Sequence, residues 1–318
     1  MQKKKMVVLG GGNGAALTLS ALKKFSEQLE ISAVITTADS GASSGQLRRE
    51  VGMLPPGDLL RAILALSPYD YAVLKKVFYS NRFSFGRLVN INLGNLFLAA
   101  LHGQSNDIRQ AIESLSKAVE AVGKVFPVTL EPTSLNVQLS DGQEIISEAN
   151  IDRPEHDRSL KIIYAWLDEA VANPEALAAI RQADYIIIGP GSLYTSLVAT
   201  LLPKGIKEEI NNSAAKLWYV VARAFEANGE TGPEKLSEAI LTLERYLPRP
   251  FDGVVYNNHT LDDAEQAAYA DRQWQPYELD AGAIQGKRVL GHDFEKTEGV
   301  GYSAEKLAVI FRQIFRLQ

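Results

Sequence analysis

The sequence predicts an α/β fold, a mostly parallel sheet flanked by helices with a small β-hairpin region, and three observations predict it. Met6-Val7-Val8-Leu9 is an apolar run of strand length. It breaks into Gly10-Gly11-Gly12-Asn13-Gly14 and then into helix-spaced apolar residues at Leu17, Ala21, Leu22, Phe25 and Leu29. A second apolar run from Ile31 to Thr37 follows that helix, which makes a parallel strand–helix–strand unit. The same logic returns at Ala183 to Ser196, where a buried strand runs into a glycine turn lined with hydroxyls.

Each element carries its own reason. In the first turn glycine permits positive φ and leaves no Cβ between backbone and ligand. The free N–H groups of the new helix then point at whatever sits above it, so an anion, a phosphate above all, is the expected cargo at Gly11, Gly12, Asn13 and Gly14. No Gly-Lys-Ser/Thr follows, so the turn is not a Walker loop, and it is only a variant of the dinucleotide fingerprint. Glu30 lies before the second strand, where a ribose-binding acid would be misplaced. A Gly14→Trp replacement is expected to abolish binding without unfolding the chain.

Ligands bind beyond the carboxyl ends of parallel strands, and Asp39 to Arg49 stands at such an end. Ser43 and Ser44 can wrap an anion, Arg48 or Arg49 can present a fork of donors, and Asp39 can accept a hydroxyl or hold a hard cation. A plain loop over Ser40 to Gly45 is the competing reading. Asp58, after the Pro55-Pro56-Gly57 turn, reads equally as a helix N-cap and as a ligand contact. A helical, aromatic-rich stretch spans Tyr69 to Phe85. Asn92 and Asn95 then flank Gly94 at a helix start, each either a cap or an amide reading a base or sugar.

A change of texture between 125 and 151 suggests a small hairpin inserted into, or capping, the main sheet, and the helical segment 67–123 is a further embellishment on one domain over 1–318. In the second turn Gly189, Gly191, Ser192, Tyr194 and Thr195 are candidates to close on the other part of the same ligand. No Gly-x-Ser-x-Gly elbow supports Ser192 as a nucleophile. His156, and His259 with Asp262 and Asp263, read as exposed loop residues, since their spacing matches no strong metal motif.

Composition narrows the function. A formal charge of −5 over 318 residues argues against a nucleic-acid-coating protein, and Cys 0 removes disulfides, thiolate metal sites and cysteine nucleophiles. No apolar segment reaches membrane-spanning length, and Met1 to Lys5 leads directly into the first strand rather than a signal-peptide core. A cytoplasmic protein without membrane insertion is expected.

Together, Gly10–Gly14, Ala38-Asp39, Ser43 to Arg48, Pro55-Pro56-Gly57-Asp58, Leu93-Gly94-Asn95-Leu96, Gly189 to Ser196 and Gly229-Glu230-Thr231 resemble the YvcK/CofD family, nearer its gluconeogenesis-factor branch than its phospholactate transferase branch. The chain departs from that pattern at Asn13 (Thr in the family), Ser40 (a second Asp), Leu60-Arg61 (Arg-Asn) and Arg223 to Asn228 (Asn-x-Met-Thr-Gln). The resemblance implies a modified Rossmann-like fold, usually dimeric, in which both glycine turns face a nucleotide diphosphate. It implies a UDP-sugar-binding regulator of cell-wall precursor supply, cell shape and gluconeogenic growth, with a possible regulatory protein partner and no firmly implied cofactor. The alternative it carries is a transferase acting on a nucleotide diphosphate-linked substrate, with Asp39 as catalytic residue and Mg²⁺ ligand.

Overall fold

A computed structural model describes residues 2–284 and 288–318, without the side chains of 42–44 and 87. Seven strands form one parallel sheet: β1 (Lys4–Gly10), β2 (Leu29–Ile35), β3 (Lys124–Pro127), β7 (Tyr185–Ile188), β8 (Lys216–Val221), β10 (Gly253–Asn257) and β12 (Arg288–His292). Their spatial order is β3-β2-β1-β7-β8-β10-β12. The chain therefore builds outward from β1 in one direction and, after β3, returns to build outward in the other. This is the Rossmann-like order, and it puts a topological switch point between β1 and β7.

Alternation along β1 explains the two-sided core. Met6 and Val8 join the cluster under α1 (Gly12–Leu22), while Val7 and Leu9 join the cluster on the opposite face. Both faces are covered, so every residue from Met6 to Gly10 is buried, as a central parallel strand requires. On the α1 face lie α2 (Ala42–Val51), α3 (Gly57–Leu66), α4 (Tyr71–Lys75), α5 (Leu93–Ser105), α6 (Ile108–Ala118) and the last helix, Ala304–Phe315. The helices Pro174–Arg181, Ile206–Asn212 and Leu236–Glu244 cover the other face.

The hairpin region differs from expectation in its membership. Residues 124–127 are β3, the edge strand of the main sheet on β2. The small antiparallel sheet is instead β4 (Leu135–Leu139) between β5 (Glu144–Ile146) and β6 (Ile162–Leu167), followed from β5 by the short helix α7 (Glu148–Asp152). Val125 and the rest of 125–127 read as a free-standing segment because the run is too short to reveal a parallel partner roughly ninety residues away. A second ribbon pairs β9 (Ala224–Glu226) with β11 (Trp274–Pro276).

Three local readings are corrected. The stretch after Gly41 is the helix α2 and not a loop: Gly41 is its N-cap, and Gly52 ends it in the left-handed conformation. The helical pattern from Tyr69 stops at Ser80, beyond which only one short turn, Gly86–Leu88, precedes α5. Asp262 is no loop residue either, because it caps the helix Asp263–Asp271 in a reciprocal capping box with Glu265. Among the described residues no helix is long and apolar enough to cross a membrane.

Candidate functional site

The two glycine turns meet at the switch point. An ideal Cβ on Gly14 would lie 1.9 Å from the Pro190 carbonyl oxygen, so the backbones of the two turns touch. One on Gly11 would lie 2.5 Å from Asp58 Oδ2. Gly12 takes φ +62 and opens α1. Its N–H donates to Asp58 Oδ2 at 2.9 Å, and the next two N–H groups, of Asn13 and Gly14, have no partner among the described residues. They open onto a cleft of about 620 Å³ beyond the carboxyl ends of β1, β2, β7 and β8.

Gly11, Gly12, Asn13, Gly14, Asp39 and Asp58 line this cleft from the β1–β2 side. Gly191, Ser192 and Thr195 line it from the second turn, and Asn95 from the start of α5. Asn92 is the α5 cap, accepting the Asn95 N–H at 2.7 Å, which resolves the two asparagines into one cap and one cleft residue. Gly189 and Tyr194 are not on the wall. Gly189 lies beneath it, its carbonyl accepting from Thr18 Oγ1 at 2.8 Å, and the Tyr194 ring is buried with its hydroxyl on the Ile162 carbonyl at 2.9 Å. Of the two arginines in α2, Arg49 rather than Arg48 faces the cleft. The side chains of Ser43 and Ser44 lie outside the described residues.

In the second turn two amides are already taken by a side chain. Glu230 occupies them, accepting the Thr195 N–H at 2.9 Å and the Tyr194 N–H at 3.1 Å. Burial pushes its carboxyl up to about 7 against the opposing pull of those N–H groups. This raised value has a sign. Between the ordinary 4.5 and about 7 the folded chain holds a proton that the unfolded chain releases, so the Glu230 contribution to stability declines as pH rises through that window. Glu230→Gln is expected to cost ~1 kcal/mol for one weakened bond and to flatten this decline, read from urea melts at several pH values.

Asp58 is not the N-cap of α3, although it does line the cleft. Pro56 is the N-cap of α3, and Asp58 in the first turn holds the Gly12 N–H with one oxygen and Arg61 with the other, at 3.0 Å. Arg61 also bonds the Tyr79 hydroxyl and stacks on that ring at 4.4 Å, yet its Nε has no partner among the described residues. Lys75, at the end of α4, donates to Asn13 Oδ1 at 3.0 Å. Burial, and after it the Arg61 charge, pull the Lys75 ammonium below its ordinary value. Arg49 and Arg82 also line the cleft, and Arg153 lines it from the end of α7.

Glu148 enters the cleft from the small sheet. The Ser40 N–H donates to Glu148 Oε2 at 3.0 Å and the Ser40 hydroxyl accepts the Ala149 N–H at 3.0 Å, which latches α7 to the loop after β2. Burial and then the Asp39 charge push the Glu148 carboxyl up to about 8. Asp39 Oδ1 accepts the Gly41 N–H at 2.9 Å, and no group of three or more ligating side chains converges among the described residues.

Arg61, Glu148 and Glu230 are the residues that sequence reasoning missed or underused. Glu230 had a signal in Gly229-Glu230-Thr231, whereas Glu148 had none, because only the tertiary fold brings α7 to the cleft. The histidines are not loop-exposed as expected: His156 is half-buried against Thr231 Oγ1 at 3.2 Å, and His259 pairs with Glu265 at 2.9 Å.

Comparison with known proteins agrees with the fold. The chain matches the family described as 2-phospho-L-lactate transferase CofD over residues 6–295. A putative gluconeogenesis factor of Thermotoga maritima is 36% identical, the alignment covering 98% of this chain and 99% of the relative. The gluconeogenesis factor of Bacillus subtilis is 32% identical, with 95% and 92% covered. The crystal structure of a UPF0052-family member from Bacillus halodurans superposes with a TM-score of 0.88 at 31% identity, covering 98% of this chain and 99% of that one. With likeness running nearly end to end, the chain belongs to the YvcK/CofD family and stands closer to its gluconeogenesis-factor branch than to phospholactate transferase.

Proposed function

We propose that the cleft binds a nucleotide sugar, of the UDP-sugar class, and that the protein is a regulator which senses this ligand rather than a catalyst that consumes it. The observation that carries the reading is the pair of unpartnered N–H groups on Asn13 and Gly14 facing a cleft with Arg61 on its wall. A diphosphate matches that arrangement, since a helix N-terminus and a guanidinium fork both favour anionic oxygens. Phe225, Trp274 and Tyr277 on the β9–β11 side supply flat apolar surface for a base. Ser192 supplies a hydroxyl group at the opposite wall.

In this reading Asp39 and Asn95 accept and donate to sugar hydroxyls, and the protein acts in the cytoplasm as a homodimer on cell-wall precursor supply during gluconeogenic growth. Isothermal titration with UDP-sugars is expected to give saturable binding, with the ligand recovered intact by mass spectrometry after long incubation. Failure of every UDP-sugar to bind would sink the reading. Steady conversion of the ligand would replace the sensor by a transferase.

A further inference from the structure

A second cavity, about 520 Å³, lies behind the β9–β11 ribbon and shares only Trp274 with the cleft. Its walls are largely apolar, from Leu261, Ala270, Trp274, Pro276 and Leu279, and they include one cation, Arg223. Arg223 is 9% exposed. It donates from Nη1 to the Tyr277 carbonyl at 3.1 Å, its Nε has no partner, and no carboxylate lies within ion-pair distance of it among the described residues. A buried guanidinium cannot shed its proton, so a site of this kind is expected to be matched by an anion.

We propose that this second cavity is a binding site for a small monocarboxylate with an apolar or aromatic body, held through its carboxylate by Arg223. The apolar walls take the body of the ligand. A single cation suits one negative charge. The nearest acids argue against a dianion such as phosphate, since His259 at the rim is already matched by Glu265, and Glu295 is buried behind Tyr269. The site shares Trp274 with the nucleotide-sugar cleft but none of its glycine turns or Arg61, so failure of the one reading does not decide the other.

The test uses the full chain and 4-fluorophenylacetate, followed by ¹⁹F line broadening, beside its neutral amide and with inorganic phosphate as competitor. The acid is expected to bind saturably and at least ~10-fold more tightly than the amide, as loss of a charged hydrogen bond implies, and excess phosphate is expected not to displace it. Arg223→Met is expected to erase the preference for the acid. Because Arg223 is buried, Leu279→Trp serves as a second variant. Leu279 is 39% exposed at the lip, so this change fills the cavity without disturbing the core or the cleft, and it is expected to abolish binding. Equal binding of acid and amide, displacement by phosphate, or acid binding that survives Leu279→Trp would each overturn the proposal.

Discussion

Gly14→Ala is expected to cost the protein ~3 kcal/mol or more of folding stability, the upper range for forcing one methyl group into a packed interior. The cause is geometric. The added Cβ would stand 1.9 Å from the Pro190 oxygen and 2.4 Å from its carbonyl carbon, and both are backbone atoms that cannot rotate away. The two turns would have to separate, and β1 and β7 are hydrogen-bonded neighbours that resist this. Gly103 supplies the internal control. It lies in α5 with nothing within 4 Å of the place its methyl group would take, so Gly103→Ala is expected to stabilise by ~0.4–1 kcal/mol through the unfolded chain. Urea melts of the two variants decide the matter: a Gly14→Ala midpoint near that of the parent would mean that the turns are not in contact. The same geometry corrects the expectation for Gly14→Trp, which would disrupt the fold and so cannot serve as a clean binding-deficient variant.

That contact shows where sequence reasoning reaches and where it stops. Met6 to Leu9 and Tyr185 to Ile188 are legible as buried parallel strands because continuous apolar runs bounded by glycine have few other uses. The meeting of the turns follows from parallel topology, since both strands must end on the same side of the sheet. The division of labour between the turns was not legible. A glycine turn with free N–H groups looks the same in sequence whether its partner is a ligand or a side chain, and Glu230 is thirty-five residues from the Thr195 amide it holds. Asp58 illustrates the same limit. Its position after Pro-Pro-Gly fits a cap, but a cap satisfies its own helix, and this carboxylate satisfies the first amide of α1 instead. Local patterns state what a residue can bond; only the packed chain states which bond it makes.

Glu230 takes the Tyr194 and Thr195 amides of the second turn, so the proposed anion site is best tested at α1 and Arg61. Arg61→Met is expected to weaken nucleotide-sugar binding ~100-fold or more. One part of this is the lost charge-assisted contact, ~1.5–3 kcal/mol. The other is Asp58, whose carboxylate Arg61 now neutralises at 3.0 Å and which would be left facing the diphosphate unmasked. These two parts separate in a double-mutant cycle. Asp58→Asn removes the repulsion while leaving an oxygen that can still accept the Gly12 N–H, so Asp58→Asn/Arg61→Met is expected to regain ~10-fold over Arg61→Met alone. Titration calorimetry of the three variants, each checked for an unchanged urea midpoint, reads the cycle. If Arg61→Met bound as tightly as the parent, the anion would not sit beside α1. If the double variant bound no better than the single one, Asp58 would be no more than a clasp for the glycine turn.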